Sequence, residues 1–379
     1  METYLRDAIT ASSREGIDNV ALVHQSEISF ASHDEIYQAG GRTVPVTRAA
    51  VWMRLLFTPI SPTFPWLLSH LIKKHQPDII HIHMPNASAF WALALPRARD
   101  VPWVIQWQSD VLASKHNWGL RLFYTFYRPF ERAMLKHAKV IIASSPPYLD
   151  SSLPLKDFRE KCSVIPLGLD PSNLPDPPRS KSSTTHHRDN TAPLHVLAIG
   201  RLTYYKGFDY LIRAVAELDD VQVHFIGKGD QEVALKALTK ELGVNNKIVF
   251  HGQLPDHELV QQFASCDCLC LPSIERTEAF GLVLLEAMYF SKATIISDVP
   301  GSGMGWIVDD GVTGLKTTPG NIGELAAALR YLRENHDKIA LFGRNGRSKF
   351  NQQFHIDQST RALIRLYSGV LDARQELVR

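Results

Sequence analysis

The sequence is poor in cysteine, in net charge and in long apolar runs, and each shortage excludes a class of protein. Four cysteines in 379 residues are too few for a disulfide scaffold. Lys and Arg number 41 against 39 Asp and Glu, and this net charge of +2 argues against a dedicated nucleic-acid binder. No apolar run approaches the roughly 18 residues that cross a bilayer, and the first residues lack a signal peptide's apolar stretch. We therefore expect a cytoplasmic protein with no nucleic-acid partner.

What is present is a globular composition, with 45% hydrophobic and 21% charged residues, which is sufficient for a sizeable core. At roughly 100–200 residues per domain, the length predicts two or three domains. A stretch rich in Pro, Ser and Thr with few apolar residues predicts a flexible linker. We expect a first domain over 1–175, the linker over 176–193, a second domain over 194–355, and a terminal helix over 356–379 that is able to pack back on the first domain.

Short apolar strands alternate with amphipathic helices on both sides of the linker. This alternation predicts an α/β protein with two doubly wound, parallel-sheet domains that face each other. Ligands bind beyond the carboxyl ends of the strands in open sheets of this kind. The predicted strands are 20–23, 78–83, 103–107, 139–143 and 163–166 before the linker, and 195–200, 221–227, 247–252, 268–272 and 293–297 after it. The clearest predicted helices are 207–218, 231–242 and 282–289.

Three of the four cysteines lie close together, and clustered thiols can bind a metal. Cys266, Cys268 and Cys270 occupy alternate positions of a predicted strand, so their side chains share one face. Zinc sites usually space their cysteines two to four residues apart and add a second pair elsewhere. We therefore expect small core residues here rather than a metal site.

The loop after the strand 195–200 carries two cations at the start of a helix. Arg201 and Lys206 stand five residues apart in GRLTYYKGFDYLI, and the helix begins near Gly207. The cations supply charge and a helix N-terminus supplies free N–H groups, so this pattern is typical of a diphosphate site. Solvated surface cations produce the same pattern, and these residues alone leave that interpretation open.

Two later loops carry glycines and carboxylates. Gly227 and Gly229 follow a strand without the third glycine of a dinucleotide fingerprint, and a plain tight turn explains them equally well. Glu278 and Glu286 flank the start of an apolar helix. Free N–H groups at a helix start donate to sugar hydroxyls or phosphate, and carboxylates accept from hydroxyls. A polyhydroxyl ligand fits this loop, although an exposed helix face gives the same spacing.

Taken together, these stretches resemble the retaining glycosyltransferases of family 4, which have the GT-B fold. The resemblance is strongest over residues 195–316, and its motifs occur in the family's order as GRLTYYKGFDYLI, FIGKGD, IVFHGQLPDHEL, LPSIERTEAFGLVLLEAM and DGVTGL. It implies two facing doubly wound domains, a nucleotide-sugar donor bound by the second domain, and a glycan or lipid-linked acceptor.

The resemblance also implies a role for each matching residue. Arg201 and Lys206 match the cations that hold the donor diphosphate and stabilise its departure. Glu286 matches the carboxylate that binds the nucleotide ribose, and Glu278 matches the carboxylate close to the transferred sugar. The remaining donor-binding positions are Gly200, Gly227, Phe280, Gly281 and Leu282.

We expect a reaction without metal or cofactor. The chain has no Asp-x-Asp motif, which many transferases of other folds use to hold a metal. Cations and a helix N-terminus can carry that electrostatic work as charge grows on the leaving diphosphate. The acceptor hydroxyl is expected to attack on the face from which the diphosphate departs. SPTFPWLL, IIASSPPYLDSS and VIPLGLD resemble bacterial polysaccharide mannosyltransferases, which favours GDP-mannose as the donor.

In the first domain, WVIQWQSDVLASKHNWG resembles the family's Trp-His-Ser-Asp-type loop. Gln108 stands where relatives commonly place a His that faces the donor sugar, and Asp110 matches the loop's Asp. Both are predicted on the acceptor or sugar side, but a glutamine cannot shuttle a proton at neutral pH. His81 and His83 share one strand face, where packing at the core or cleft edge is the expected role.

Residues 115–139 contain six Lys or Arg, six aromatic residues and the single acid Glu131. A basic, aromatic helix can lie on an anionic membrane surface, which suits lipid-linked acceptors and predicts peripheral contact at the inner face of the membrane. A helix with its aromatic residues in the core and its cations in solvent is the equal alternative.

The resemblance also predicts an incomplete first sheet. In relatives, a first strand and a glycine-rich loop precede a segment similar to Met1–Ala8. That strand would lie in the middle of the sheet, and without it strand edges would be left unpaired.

Two alternatives remain open from sequence. The missing strand and Gln108 would also fit a catalytically inactive GT-B protein that binds or scaffolds. A nicotinamide-dependent oxidoreductase would share the paired α/β domains, but the incomplete glycine motif speaks against it.

Overall fold

The computed structural model describes residues 2–55, 58–111, 118–174 and 192–378, with only the backbone of residues 2–3, 55, 118–121, 173 and 375–378. The chain forms two compact units. The first comprises Met1–Ser144, Leu149–Pro166 and Ser359–Arg379, and the second comprises Ser145–Tyr148 and Leu167–Gln358. Most of the predicted linker lies outside the described residues, and its limits stay a prediction.

The described strands of the first unit form three separate sheets. A parallel sheet has the order β6–β7–β8–β9, a mixed sheet has the order β1–β3–β2, and β4 pairs with β5. Within these strands β1 pairs with β3 alone and β6 with β7 alone, so each is a sheet edge. The strands are β1 Ala21–His24, β2 His33–Ala39, β3 Arg42–Ala49, β4 Met53–Leu55, β5 Thr58–Ile60, β6 Ile80–Met84, β7 Trp103–Trp107, β8 Val140–Ala143 and β9 Cys162–Val164.

The antiparallel pair of β2 and β3 is absent from the strands predicted above, although the sequence carries a signal for it. Gly40 and Gly41 link the two strands, with φ angles of 57° and 80°. Two-residue hairpin turns often need positive φ at both positions, and glycine adopts it without steric cost. The Gly-Gly pair between two strand-like runs is therefore the feature that indicates this hairpin.

The last helix of the chain packs on the four-stranded sheet of the first unit. Leu363 and Val370 on this helix form one buried cluster with Val104, Ile142 and Ile165 from the sheet side. None of the helices in the described ranges is long and apolar enough to cross a membrane. The helices of this unit are α1 Glu2–Arg14, α2 Phe64–His75, α3 Trp91–Ala94, α4 Pro96–Arg99, α5 Trp118–His137, α6 Pro146–Ser151, which continues from the second unit, and α14 Ile356–Val378.

The second unit is built on a six-stranded, fully parallel sheet with the order β12–β11–β10–β13–β14–β15. The inner strands β13 and β14 are buried at every position because helices cover both faces of such a sheet, whereas β10 and β11 also carry His195, Gln222 and His224 at partly buried positions. Cys266, Cys268 and Cys270 are all buried core residues, as expected, but Cys266 lies at the end of the helix before β13 and not on the strand. The strands are β10 Leu194–Ile199, β11 Val221–Ile226, β12 Ile248–Gly252, β13 Cys268–Leu271, β14 Ala293–Ser297 and β15 Gly314–Thr317.

The helices of the second unit follow the strands in alternation, as a doubly wound domain requires. Those after β10, β11 and β13 match the predicted helices 207–218, 231–242 and 282–289 closely. The helices are α7 Phe208–Ala216, α8 Glu232–Glu241, α9 Asp256–Ser265, α10 Leu282–Tyr289, α11 Met304–Ile307, α12 Ile322–Glu334 and α13 His336–Lys349.

Candidate active site

Three adjacent strands of the second unit, β11, β10 and β13, end at the candidate site. Backbone hydrogen bonds continue beyond the sheet and join the loops after β10 and β11. Gly200 N donates to Ile226 O at 3.0 Å, and Leu202 N donates to Lys228 O at 3.0 Å. The segment that carries Arg201 is therefore held between two fixed backbone contacts.

Glycine at Gly227 and Gly229 allows these loops to approach each other. A Cβ atom at Gly227 would lie 2.0 Å from the carbonyl oxygen of Gly200, and one at Gly229 would lie 2.2 Å from that of Leu202. Neither distance is possible for a side chain. The close approach of two loops accounts for this G-x-G pair without a dinucleotide, so the pair gives the oxidoreductase alternative no support.

A second contact fixes the loop that carries Lys206. Gly207 has a φ of 64°, and a Cβ atom there would lie 2.2 Å from the carbonyl oxygen of Pro272, which follows β13. Ile274 N donates to Tyr205 O at 2.8 Å. The β10–α7 loop and the β13–α10 loop are thus joined backbone to backbone, which brings their side chains together.

Lys206 and Glu278 form an ion pair across these two loops. Lys206 is only 7% exposed, and Gly200 leaves room for its side chain, because a Cβ atom there would lie 2.9 Å from Lys206 Cε. Ser273 Oγ donates to Glu278 Oε2 at 3.3 Å. A buried ammonium group requires such a partner. The structure therefore unites two of the predicted catalytic residues.

Arg201 differs from Lys206 in its environment. Its side chain is exposed at the end of β10, and no ion pair of Arg201 is found within the described ranges. The site thus combines one buried, paired cation with one cation in contact with solvent.

The start of α10 completes this edge. Gly281 has a φ of 86°, and Phe280 is buried with its ring edge against Phe354 at a centroid distance of 6.3 Å. Burial of this ring removes its side chain from solvent, and the donor-binding role of the loop backbone stays a prediction. Glu286 lies one turn into the helix from Leu282 and is half-buried, so the two share one helix face.

Gln108 and Asp110 lie in the first unit, just after β7. Asp110 is 9% exposed, and its Oδ1 atom accepts hydrogen bonds from Trp107 Nε1 at 2.9 Å and from Ser152 Oγ at 2.7 Å. These bonds show that Asp110 holds its own loop in shape. Any role of Asp110 toward a sugar stays a prediction, as do the ligand roles of the other site residues.

One buried acid was missed as a candidate functional residue. Glu131 on α5 is 2% exposed, and Tyr124 OH donates to its Oε2 atom at 3.1 Å. Burial, reinforced by the charge of Asp110 and opposed by the Tyr124 hydrogen bond, raises the pKa of Glu131 to about 7. The available signal was its position as the single acid in an otherwise basic segment.

In the part of the chain that the structure describes, no group of three or more His, Cys, Asp or Glu side chains is arranged to hold a metal ion. The metal-independent reaction remains a prediction from sequence.

Known proteins resemble this chain over nearly its whole length. The family model described as Glycosyltransferase Family 4 matches residues 1–173, and the model described as Glycosyl transferases group 1 matches residues 183–349. O-antigen chain mannosyltransferase C of Escherichia coli is 31% identical over 301 residues, covering 79% of this chain and 78% of the relative. The chain belongs to glycosyltransferase family 4.

A second relative agrees with this assignment, and a solved structure shares the fold of this glycosyltransferase. D-rhamnosyltransferase WbpZ of Pseudomonas aeruginosa is 30% identical, over 89% of this chain and 84% of the relative. Sucrose-phosphate synthase from Thermosynechococcus elongatus shares the fold with a TM-score of 0.77 at 20% identity, covering 98% of this chain and 93% of that chain. The predictions of the family, of the GT-B fold and of an enzyme are confirmed.

Proposed function

We propose that this glycosyltransferase transfers a hexose, with mannose favoured, from a nucleotide sugar to a glycan or lipid-linked saccharide in polysaccharide biosynthesis, with retention at the anomeric carbon and without a metal. The observation that carries the proposal is the carboxyl edge of the six-stranded sheet. There the exposed Arg201, the paired Lys206 and the start of α10 are joined by backbone contacts.

The chemistry follows from the charge that develops as the donor bond breaks. The bond from the anomeric carbon to the diphosphate oxygen breaks, and that oxygen keeps the electron pair. Arg201 and Lys206 stabilise this charge, and Lys206 does so as a cation that is held in advance and needs no reorganisation during the reaction. The acceptor hydroxyl attacks from the same face, and its proton passes to the departing diphosphate. Glu278 holds Lys206 before the donor arrives.

The choice of mannose and of polysaccharide acceptors is supported by the relatives' names. O-antigen chain mannosyltransferase C is a mannosyltransferase by name, and the mycobacterial relative at 27% identity is named phosphatidyl-myo-inositol mannosyltransferase. GDP-mannose is therefore the first donor to test, with UDP-glucose and UDP-N-acetylglucosamine as competitors.

Calorimetric titration tests the donor site directly. We expect GDP-mannose to bind in the presence of EDTA, with weaker binding of the UDP sugars and none of NAD. Glu286→Ala is expected to weaken binding about tenfold or more, because a hydrogen bond from the ribose to a charged group contributes roughly 1.5–3 kcal/mol. Glu334→Ala, at the exposed end of α12, is the matched control. Binding of NAD alone, or equal binding by both variants, would contradict the assigned site.

We further propose that α5 docks on an anionic membrane surface. Leu122, Phe126 and Phe130 are 52%, 69% and 53% exposed and stand four residues apart, so they form one stripe. The exposed cations Arg128, Arg132 and Lys136 form a second stripe, roughly 120° around the helix. Apolar side chains that enter the bilayer beside cations that meet lipid phosphates are typical of interfacial helices. Residues 115–117 of the predicted segment lie outside the described residues.

Vesicle flotation tests this surface. The protein is expected to float with vesicles containing phosphatidylglycerol and to remain unbound with phosphatidylcholine vesicles. Leu122→Ser combined with Phe126→Ser is expected to lower binding about tenfold or more, because each side chain loses apolar area that the bilayer would bury. Val233→Ser, at a position 82% exposed in the second unit, is the control. Equal flotation of both variants, or none by the unmodified protein, would refute docking through α5.

A further inference from the structure

Gln108 is held by a histidine that the proposed reaction does not use. Gln108 Nε2 lies 3.0 Å from His83 Nδ1, and Gln108 N donates to Met84 O at 3.0 Å. β6 and β7 are neighbours in register, with His83 opposite Gln106, so the two residues meet at the carboxyl edge of this sheet. An amide nitrogen only donates, so His83 Nδ1 accepts and the ring carries its proton on Nε2.

The ring of His83 is fixed on several sides. It stacks on the ring of His81 at a centroid distance of 4.8 Å and an interplanar angle of 17°. The Tyr4 ring meets it edge-on at 6.5 Å. His81 is itself held, because its Nδ1 atom lies 2.5 Å from the hydroxyl of Tyr367 on α14. A ring packed in this way presents Nδ1 in one direction.

The protonation state of His83 suits the same task. Burial lowers the pKa of His83 to about 4, so the ring is neutral at physiological pH. A protonated ring would donate from both nitrogens and could not accept from an amide. The hydrogen bond to Gln108 is therefore available throughout the neutral range.

We propose that His83 is a positioning residue that fixes the amide of Gln108, so that its oxygen is directed to accept a hydrogen bond from a sugar hydroxyl. This inference rests on the proposed function, because it needs a saccharide at Gln108. An unrestrained glutamine amide can present either its donor or its acceptor end, and His83 removes that choice. The position thereby selects for a sugar that carries a hydroxyl there over the corresponding deoxy sugar.

A double-mutant cycle tests the coupling between the two residues. The readout is kcat/KM for release of nucleoside diphosphate from GDP-mannose. His83→Leu and Gln108→Leu are each expected to lower it about tenfold, and the double variant is expected to fall no further than Gln108→Leu alone. His83→Asn is expected to remain within about threefold of the unmodified protein, because the Asn oxygen can accept at about the position of Nδ1.

A residue that supports the fold alone would give a different pattern. The loss in kcat/KM caused by His83→Leu would then multiply with the loss caused by Gln108→Leu, and His83→Asn would not restore kcat/KM. Multiplied losses, or full kcat/KM in His83→Leu, would overturn the proposal. A fall in Tm common to the Leu and Asn variants, without the kinetic difference between them, would do the same.

Ring-nitrogen NMR of histidine-labelled protein separates this proposal from the donor assignment. We expect the His83 signals, assigned by their loss in His83→Asn, to show a protonated Nε2 and a hydrogen-bonded Nδ1 that changes in Gln108→Leu. A proton on Nδ1 would overturn the positioning role. The NMR result does not depend on turnover. Nucleotide-sugar binding by the second unit can be absent while the hydrogen bond between His83 and Gln108 is present, so the two proposals are tested separately.

Discussion

Arg201→Ala is expected to lower turnover by about 100-fold or more, which is the typical cost of removing one group that stabilises charge in a transition state. The charge on the leaving diphosphate grows as the donor bond breaks, so the loss should fall on kcat more than on KM. The measurement is release of nucleoside diphosphate from the donor that binds best. Because Arg201 is exposed, the Tm of the Arg201→Ala variant should equal that of the unmodified protein.

Lys206→Ala gives a second, distinguishable outcome. It should also lower turnover, but it leaves the half-buried Glu278 without its cation, so Tm is expected to fall as well. Arg330→Ala, at an exposed position of α12, is the matched control and should retain full turnover. If Arg201→Ala kept turnover within twofold of the unmodified protein, the donor would have to bind elsewhere.

Glu131→Gln is expected to stabilise the protein by about 2 kcal/mol at pH 8. A pKa near 7 in the folded state, against 4.5 for an ordinary Glu, means that folding holds the proton more tightly than the unfolded chain does. The proton held by Glu131 contributes fully to the free energy of unfolding below pH 4.5, and this contribution is lost as the pH rises through about 7. The upper limit is about 3 kcal/mol, because each pKa unit corresponds to about 1.36 kcal/mol.

Denaturant unfolding at several pH values between 5 and 8 measures this effect. The unmodified protein should lose stability across the range, and the Gln variant should lose less of it. Glu160→Gln, at an exposed position of the same unit, should leave the profile unchanged. If Glu131→Gln lowered the free energy of unfolding equally at every pH, the charge of buried Glu131 would not be the cause of the pH dependence.

Much of the fold could be predicted because its strands and helices correspond to apolar runs and hydrophobic periodicity in the sequence. Five strands of the six-stranded sheet are short, mainly apolar runs between loops, and such runs are typical of parallel sheets, whereas β15, Gly314–Thr317, is less apolar and was not predicted. The β2–β3 hairpin was missed because its strands are largely polar, and its main signal is the pair Gly40–Gly41. Local pattern thus predicts buried strands better than exposed ones.

The candidate site was likewise predicted only in part. Arg201, Lys206 and Glu278 were predicted from sequence, but their motifs carry no information on which side chains pair. The ion pair of Lys206 with Glu278 depends on loops joined backbone to backbone, far apart in sequence. The contact of His83 with Gln108 depends likewise on the register of two strands. Long-range register is set by packing, which a single sequence does not display.

The backbone junctions at the carboxyl edge decide where this enzyme can be re-engineered. Any side chain at Gly207 or Gly227 would meet a carbonyl oxygen about 2 Å away, so libraries that vary these positions would yield mostly unfolded clones. Residues whose side chains point away from the junctions are free to change without moving the loops. Directed evolution of donor preference should therefore hold the glycines constant and randomise exposed positions of the same loops, such as Tyr204 and Thr277, so that most library members fold.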